Sequence, residues 1–346
     1  MMANISIIKD DIYLQHKPGH THPEHPHRIK SIYRMLEKDF NNDLNVIQPV
    51  MASLEQLELV HTSTYIKKVL KTAEHNYTSL APDTPASTNT FITACSAVGG
   101  CLEGLNSLIA GESDICFSLI RPPGHHALPD RAGGFCIFNN VGITAAHAIK
   151  THNMKRILII DWDVHHGNGV NDLFYDSKEV FYMSTHDTFL YPYTGDWQEA
   201  GAGEGEGYSL NIPIPRDFND DDIFNLYKKT ASPIIERFRP QLILVCAGFD
   251  AHKNDPIGRS NLSEKGFRWL THLFLHLREE IKCPPVFFVL EGGYDFRSLT
   301  SSVKEVLMAT KDNNHRNALP DVTSQNAESH VEKARRIHAK YGVWTN

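Results

Sequence analysis

Residues 157–172 read ILIIDWDVHHGNGVND. The run opens on four consecutive aliphatic side chains and ends in carboxylates, imidazoles and glycines. An apolar run this short predicts a strand buried on both faces rather than a helix. Asp161, Asp163, His165 and His166 at its end are unfavourable to bury unpaired. Two arrangements would compensate them: a bound metal ion, or capping of the following helix with hydrogen bonds among the groups themselves.

Outward from this stretch the pattern repeats. RILIID (156–161), VFYMST (180–185), LILVCAGFD (242–250) and VFFVLEGGYD (286–295) read as buried strands. Residues 221–238 and 263–282 between them carry apolar side chains at helical spacing. This alternation predicts an α/β fold with a central, mostly parallel sheet flanked by helices on both faces. No internal repeat or low-complexity linker interrupts residues 1–346, so a single domain is expected. The polar C-terminal stretch, with ESHVEKARRIHAKYG (328–342), predicts a peripheral helix. Polar residues gather where the strands end, and ligands of open α/β sheets bind outside the carboxyl ends of strands.

Composition narrows the function. The chain is 41% hydrophobic and 22% charged, with a formal net charge of -7. That argues against binding nucleic acid, which needs a basic surface, and weakly favours cationic partners. The six cysteines stand singly, with no CxxC, as in a cytoplasmic protein with reduced, buried thiols. The N-terminal MMANISIIKDD lacks the form of a signal peptide. No run approaches the ~18 apolar residues of a membrane span, so no membrane association is expected.

Asp163 and His165 stand two apart, and in an extended segment such side chains share a side. Asp250, at the end of another strand, is the candidate third ligand. An Asp/His/Asp set leaves a coordination position for water, the open arrangement of a catalytic zinc. RPPGHHALPDRAGGFCIFNN (121–140) adds the adjacent pair His125–His126 in a Pro/Gly-rich loop, which beside the metal set reads as an acid/base pair. Each ring needs an acceptor to set its tautomer, and Asp161 and Asn168 are candidates. LEGGY (290–294) adds a tight turn from which Tyr294 could donate to a developing oxyanion. HKPGHTHPEHPH (16–27) is discounted as a metal tract because its prolines prevent regular ligand spacing. GAGEGEG (201–207) is discounted as a phosphate loop because a strand-like YSLNIPIP follows it and its glutamates repel phosphate. Most of the 20 histidines are expected on the surface.

These residues resemble the zinc-dependent histone deacetylase superfamily, which includes acetylpolyamine amidohydrolases. HPEHPHRI, RPPGHH, GGFCIFNN, DWDVHHGNG, GAGEGEGYSLNIP, AGFDAHKNDPIG and EGGYD occur in the family's order through nearly the whole chain. The resemblance implies an arginase-like fold and hydrolysis of N-acetyl groups on amines, those of acetylated lysine or of an acetylpolyamine. It assigns one zinc to Asp163, His165 and Asp250, tandem histidines to His125 and His126, and the catalytic tyrosine to Tyr294. Asp161 buttresses His125. Asn168 partners His126, as in the class II-like branch, and an amide there keeps His126 neutral and competent as a base near pH 7.

The resemblance further implies a narrow tunnel walled by Phe135, Tyr191 and Ile257, where many relatives have phenylalanine at the Tyr191 position. The Gly134 carbonyl would accept from the substrate amide, and Asp83 would clamp a peptide backbone at the rim. Arg28 would stand near an internal acetate pocket, and the His16–His27 tract falls in a rim loop. Potassium is implied at two sites, one using Asp161, Asp163, His165, Ser184 and Thr185, the other Phe174, Ser177, Val180 and Tyr208. A homo-oligomer is compatible with this reading. Competing functions are a binuclear manganese hydrolase of arginase type, for which a second aspartate-rich metal set is missing, and a non-catalytic acyl-lysine binder, against which the complete set of site residues argues.

Overall fold

Strand pairing, rather than any single motif, decides where the chemistry goes. The computed structural model describes residues 3–40 and 43–345; the first two residues of the N-terminal stretch read above, and the last of the chain, lie outside them. Among the described residues ten strands run β1 (Ile5–Ile8), β2 (Asn45–Ile47), β3 (Thr78–Ala81), β4 (Thr84–Ala86), β5 (Ile115–Ser118), β6 (Ile157–Asp161), β7 (Val180–His186), β8 (Ser209–Pro213), β9 (Leu242–Ala247) and β10 (Val286–Leu290). Eight form one sheet in the order β2-β1-β5-β10-β9-β6-β7-β8, every pair parallel. β3 and β4 make a separate antiparallel hairpin. The chain passes from β5 to β6 and only later fills the gap between them with β9 and β10.

The helices are α1 (His27–Asp39), α2 (Leu54–Leu57), α3 (Ser63–Leu70), α4 (Thr90–Ile109), α5 (Asn140–His152), α6 (Asn168–Leu173), α7 (Asp220–Phe238), α8 (Glu264–Glu280), α9 (Phe296–Lys311) and α10 (Gln325–His338). They cover both faces, which is why β6 reads as an unbroken apolar run. Leu158 and Ile160 enter the core shared with α1, α7, α8, α9 and α10, whereas Ile157 and Ile159 enter the core shared with α4 and α5. Each such side chain contributes roughly 1.5–3 kcal/mol by leaving water. The expected strands and long helices all form, and the C-terminal stretch folds as α10 against α7.

Two sequence expectations are corrected. α4 does reach spanning length and apolarity, but it is a core helix with most of that apolar window buried; two of its neighbours are α5 and β5. Eleven of the 20 histidines are buried, not exposed. Burial holds His16 down to about 3, and His61 and His186 to about 4, so these rings serve as neutral hydrogen-bonding aromatics. Five cysteines are buried and Cys283 is exposed; none is paired.

Because the sheet is parallel, its C-terminal tips share one edge. Asp161 lies level with Cys246 of β9 and Ser184 of β7, and Leu290 of β10 lies level with Ala247. His165 is four residues past Asp161, and Asp250 four past Cys246, so the two segments leave adjacent tips together.

Candidate functional site

The local chain past β6 is a bend rather than the extended segment expected. Asp163 Oδ1 accepts from the His165 backbone N–H at 2.9 Å, an Asx-type turn. The two side chains still meet, by this turn and not by strand alternation. His165 Nδ1 lies 3.0 Å from Asp163 Oδ1 and 3.0 Å from Asp250 Oδ2. The carboxylates are fixed from behind: Gly292 N–H donates to Asp163 Oδ2 at 2.9 Å and Val164 N–H to Asp250 Oδ1 at 3.0 Å. All three residues are buried and present a mutually close donor atom each. Burial, and then the neighbouring Asp163 charge, push the Asp250 carboxyl up to about 7. Two buried carboxylates with an imidazole nitrogen between them form a donor set whose chemistry fits a divalent ion. Gly292 is required by this crowding: a Cβ there would sit 2.1 Å from Asp250 Oδ2 and 2.6 Å from Asp163 Oδ2.

The tandem histidines come from the loop after β5, the strand beside β10. His125 Nδ1–H donates to Asp161 Oδ2 at 3.1 Å, and Tyr182 O–H donates to the same oxygen at 3.1 Å. Burial alone would lower the His125 pKa, but Asp163 and Asp161 outweigh it and raise it to about 10. His126 Nδ1–H donates to Asn168 Oδ1 at 2.9 Å. Burial, then the charges on His125 and His165, hold His126 well below its ordinary value. The two rings lie 4.0 Å apart between centroids, one suited to carry charge and the other to stay neutral. Glu291 ties this loop to β10: its Oε2 accepts from Gly124 N–H at 2.7 Å and His125 N–H at 3.1 Å. Burial raises Glu291 to about 7.

Tyr294 is aimed by three groups. Asp255 Oδ2 accepts its backbone N–H at 2.6 Å. Arg28 donates to the carbonyls of Glu291 and Gly293 and lies beneath the Tyr294 ring, 4.9 Å from its centroid. Glu24 in turn holds Arg28 at 3.1 Å and grips Arg121 through both carboxylate oxygens at 2.6 Å. Burial, opposed by Arg28 and reinforced by Asp250 and Asp163, keeps the Tyr294 hydroxyl protonated.

Phe135 and Tyr191 flank this group. The Phe135 ring meets Tyr294 edge-on at 5.6 Å and His22 at 4.7 Å, and Tyr191 meets His126 at 5.0 Å. Gly134 and Phe135 both have positive φ, 56° and 67°, a turn that glycine tolerates and phenylalanine resists. The β3–β4 hairpin holds it. Asp83 Oδ2 accepts from Gly134 N–H at 3.0 Å, and Thr84 Oγ1 from Phe135 N–H at 3.2 Å. The Asp83 carboxylate is thus engaged with its own rim. Ile257 N–H donates to Asp255 Oδ1 at 2.9 Å, so one carboxylate fixes both the Ile257 backbone and the Tyr294 turn.

Ser184 and Thr185 lie buried on β7 beside Asp161, but their hydroxyls bond His186 Nδ1 at 2.8 Å and Tyr227 Oη at 2.9 Å. Phe174, Ser177, Val180 and Tyr208 cluster apart, around the loop after α6, where Ser177 N–H donates to Phe174 O and Tyr182 N–H to Tyr208 O. Sequence reasoning did not single out Glu24, Thr84, Tyr182, Asp255 or the side chain of Glu291. Asp255 had a local signal, the Asp-Pro-x-Gly turn of DPIG. Tyr182 had none, and the i,i+4 spacing of Glu24 to Arg28 gave no sign of its grip on Arg121, 97 residues away.

The tips of the parallel sheet thus bring together two carboxylates, three imidazoles and a phenol, with Asp163, His165 and Asp250 a candidate metal-binding group. The chain belongs to the histone deacetylase family: the family profile for the histone deacetylase domain matches residues 22–310. It is 31% identical over 352 residues to a probable deacetylase of Archaeoglobus fulgidus, covering 97% of this chain and 98% of that protein. It is 36% identical over 307 residues to histone deacetylase 14, chloroplastic, of Arabidopsis thaliana, covering 84% and 73%. It is also 35% identical to the histone deacetylase-like amidohydrolase of Pseudomonas aeruginosa, covering 80% and 73%. The crystal structure of the HDA15 HD domain superposes with a TM-score of 0.91 at 30% identity, covering 99% of this chain and 95% of that one. The fold is arginase-like, and membership of a family of deacetylases and amidohydrolases makes the chain a hydrolase.

Proposed function

We propose that the chain is a zinc-dependent deacetylase that hydrolyses N-acetyl or other acyl amides of lysine side chains or related amines. One observation carries this reading: a neutral His126, an Asn168 that fixes its tautomer, and the Tyr294 turn surround the Asp163/His165/Asp250 donor set. Asp163, His165 and Asp250 would hold one zinc, which when bound supplies Lewis acidity and a water acidic enough to ionise near pH 7. The protein's own residues do the rest. Because the Nδ1–H of His126 is engaged by Asn168, its Nε2 lone pair is free to take a proton from the attacking water. The Tyr294 hydroxyl donates to the oxygen that develops negative charge as the acyl carbon becomes tetrahedral. His125, paired with Asp161, supplies positive charge beside the developing anion. The C–N bond breaks when the histidine pair returns the proton to the departing nitrogen, since an amide anion leaves poorly. Acetate and a free amine result.

Phe135, Tyr191 and Ile257 suit a methylene chain between the acyl group and the surface. We extend the proposal to potassium at the Asp161/Asp163/His165/Ser184/Thr185 and Phe174/Ser177/Val180/Tyr208 positions, and to a cytoplasmic location, which six unpaired cysteines suit. The test is a turnover panel of acetyl-lysine peptides, other acyl-lysines and acetylpolyamines, with chelator and with zinc restored. Chelator-sensitive, zinc-restored turnover of at least one acylamine is expected. No turnover across the panel, with acylamine still bound, would replace the enzyme with a binding module.

A further inference from the structure

Two grooves meet at Arg237 on the sheet edge away from this chemistry. One, of about 530 Å³, is lined by Glu236, Arg237, Arg335, Arg336 and Trp344 among others. The second, of about 360 Å³, is lined by Lys155, Arg156, Lys178, Glu179, Arg237 and Phe238 among others. Lys155 and Arg156 lead into β6, Lys178 leads into β7, and Arg237 ends α7 just before β9. The grooves therefore lie at the N-terminal ends of strands whose opposite ends carry the site.

Six cationic and two acidic side chains line the pair, a local surplus of four positive charges on a chain of net charge -7. The lysines are neutralised, Lys155 by Glu179 at 2.8 Å and Lys178 by Glu204 at 2.9 Å. The arginines are not: among the described residues Arg156, Arg237, Arg335 and Arg336 form no ion pair. Arg156 Nε donates to Arg239 O at 2.9 Å, Arg237 to Thr345 O at 2.8 Å and Arg335 to Lys229 O at 3.4 Å. These carbonyl contacts orient the guanidinium groups without compensating their charge. All four side chains are exposed, and the lining beside them includes the partly exposed Pro233 and Val343 and the buried Trp344 and Phe238.

We propose that this double groove docks an acidic peptide segment of a partner protein in which carboxylates alternate with apolar side chains. Carboxylates match the planar guanidinium forks, and the apolar side chains match the lining between them. A nucleic acid fits less well: it offers no apolar side chain, and beyond the grooves its backbone would cross the acidic remainder of the surface. Such docking leaves the reaction site open, so the partner would recruit the enzyme without competing with its substrate.

The test uses the full chain and fluorescence polarisation with a labelled Glu-Leu repeat peptide, with oligoglutamate, inorganic polyphosphate and a short single-stranded RNA in parallel. Saturable, salt-sensitive binding of the Glu-Leu peptide is expected. Arg237→Glu with Arg336→Glu should weaken it about tenfold or more, with turnover of a small acetyl-lysine peptide unchanged. Should that double variant melt early, Arg335→Gln with Arg336→Gln replaces it with the same expected direction. The proposal is overturned if the peptide does not bind, if charge removal leaves its affinity unchanged, or if polyphosphate or RNA binds more tightly than the peptide.

Discussion

Replacing Asn168 by aspartate tests the division of labour between the two histidines. The amide oxygen lies 2.9 Å from His126 Nδ1, and a carboxylate in its place would put a negative charge about 4 Å from the ring's charge centre. At an effective dielectric of about 20 that attraction is on the order of 4 kcal/mol, an upper bound of about 3 pKa units. Burial of the new carboxylate offsets part of it, leaving a rise of about 1–2 units. The sign follows from the role: His126 must be neutral to accept a proton, so a raised pKa moves the acid limb of activity to higher pH. The assay is kcat/KM against pH on an acetyl-lysine peptide, with zinc content measured in parallel. The acid limb of the variant should lie about 1–2 pH units above that of the wild type. An acid limb that does not move, in protein with full zinc, would refute His126 as the proton acceptor.

Three further outcomes are expected. Tyr294→Phe removes the oxyanion donor while the turn and its ties to Arg28 and Asp255 remain, so turnover should fall about 10²–10³-fold with zinc content unchanged; near-normal turnover would remove Tyr294 from the reaction. Gly292→Ala drives a Cβ into both Asp250 and Asp163, so zinc affinity measured by chelator competition should fall tenfold or more, and wild-type affinity would show that the two strand tips yield. Glu291 is raised from near 4.5 to about 7, so the folded state binds its proton more tightly than the unfolded chain, and stability falls as pH rises between those values. Glu291→Gln keeps an acceptor for Gly124 and His125 and should flatten that decline, on the order of 1–3 kcal/mol, in urea melts across the range; an unchanged slope would contradict the assignment.

The local code for the sheet was strong because strands buried on both faces must be largely apolar, and residues 157–160, 180–183, 242–247 and 286–290 are apolar throughout. The short outer strands β1 and β2 lack that signature. Asp163, His165, Asp250, His125, His126 and Tyr294 were legible because such polar groups at strand tips have few other uses, and because the family blocks name them. Two local readings gave way to tertiary context. The Asp163–His165 segment is a bend stabilised by its own aspartate, and α4, apolar enough to cross a membrane, is a core helix. The count of buried histidines was also out of reach, since burial of a neutral imidazole depends on acceptors far along the chain.

The sequence alone thus determined which chemical groups stand at the ends of which strands. The order β5-β10-β9-β6-β7 decided that they meet, because it sets loops from residues 119, 162, 248 and 291 side by side along one edge. The same order decided the supports: Glu24 on Arg28 and Arg121, Glu291 under the histidine loop, Asp255 joining Ile257 to Tyr294. The Glu24–Arg28 and Asp255–Ile257 contacts are local, but Glu24–Arg121, Glu291–His125 and Asp255–Tyr294 join residues 97, 166 and 39 positions apart, with no periodicity to announce them. Strand identity is a local property of burial; the pairing of strands, and every hydrogen bond that spans them, is a property of the assembled sheet.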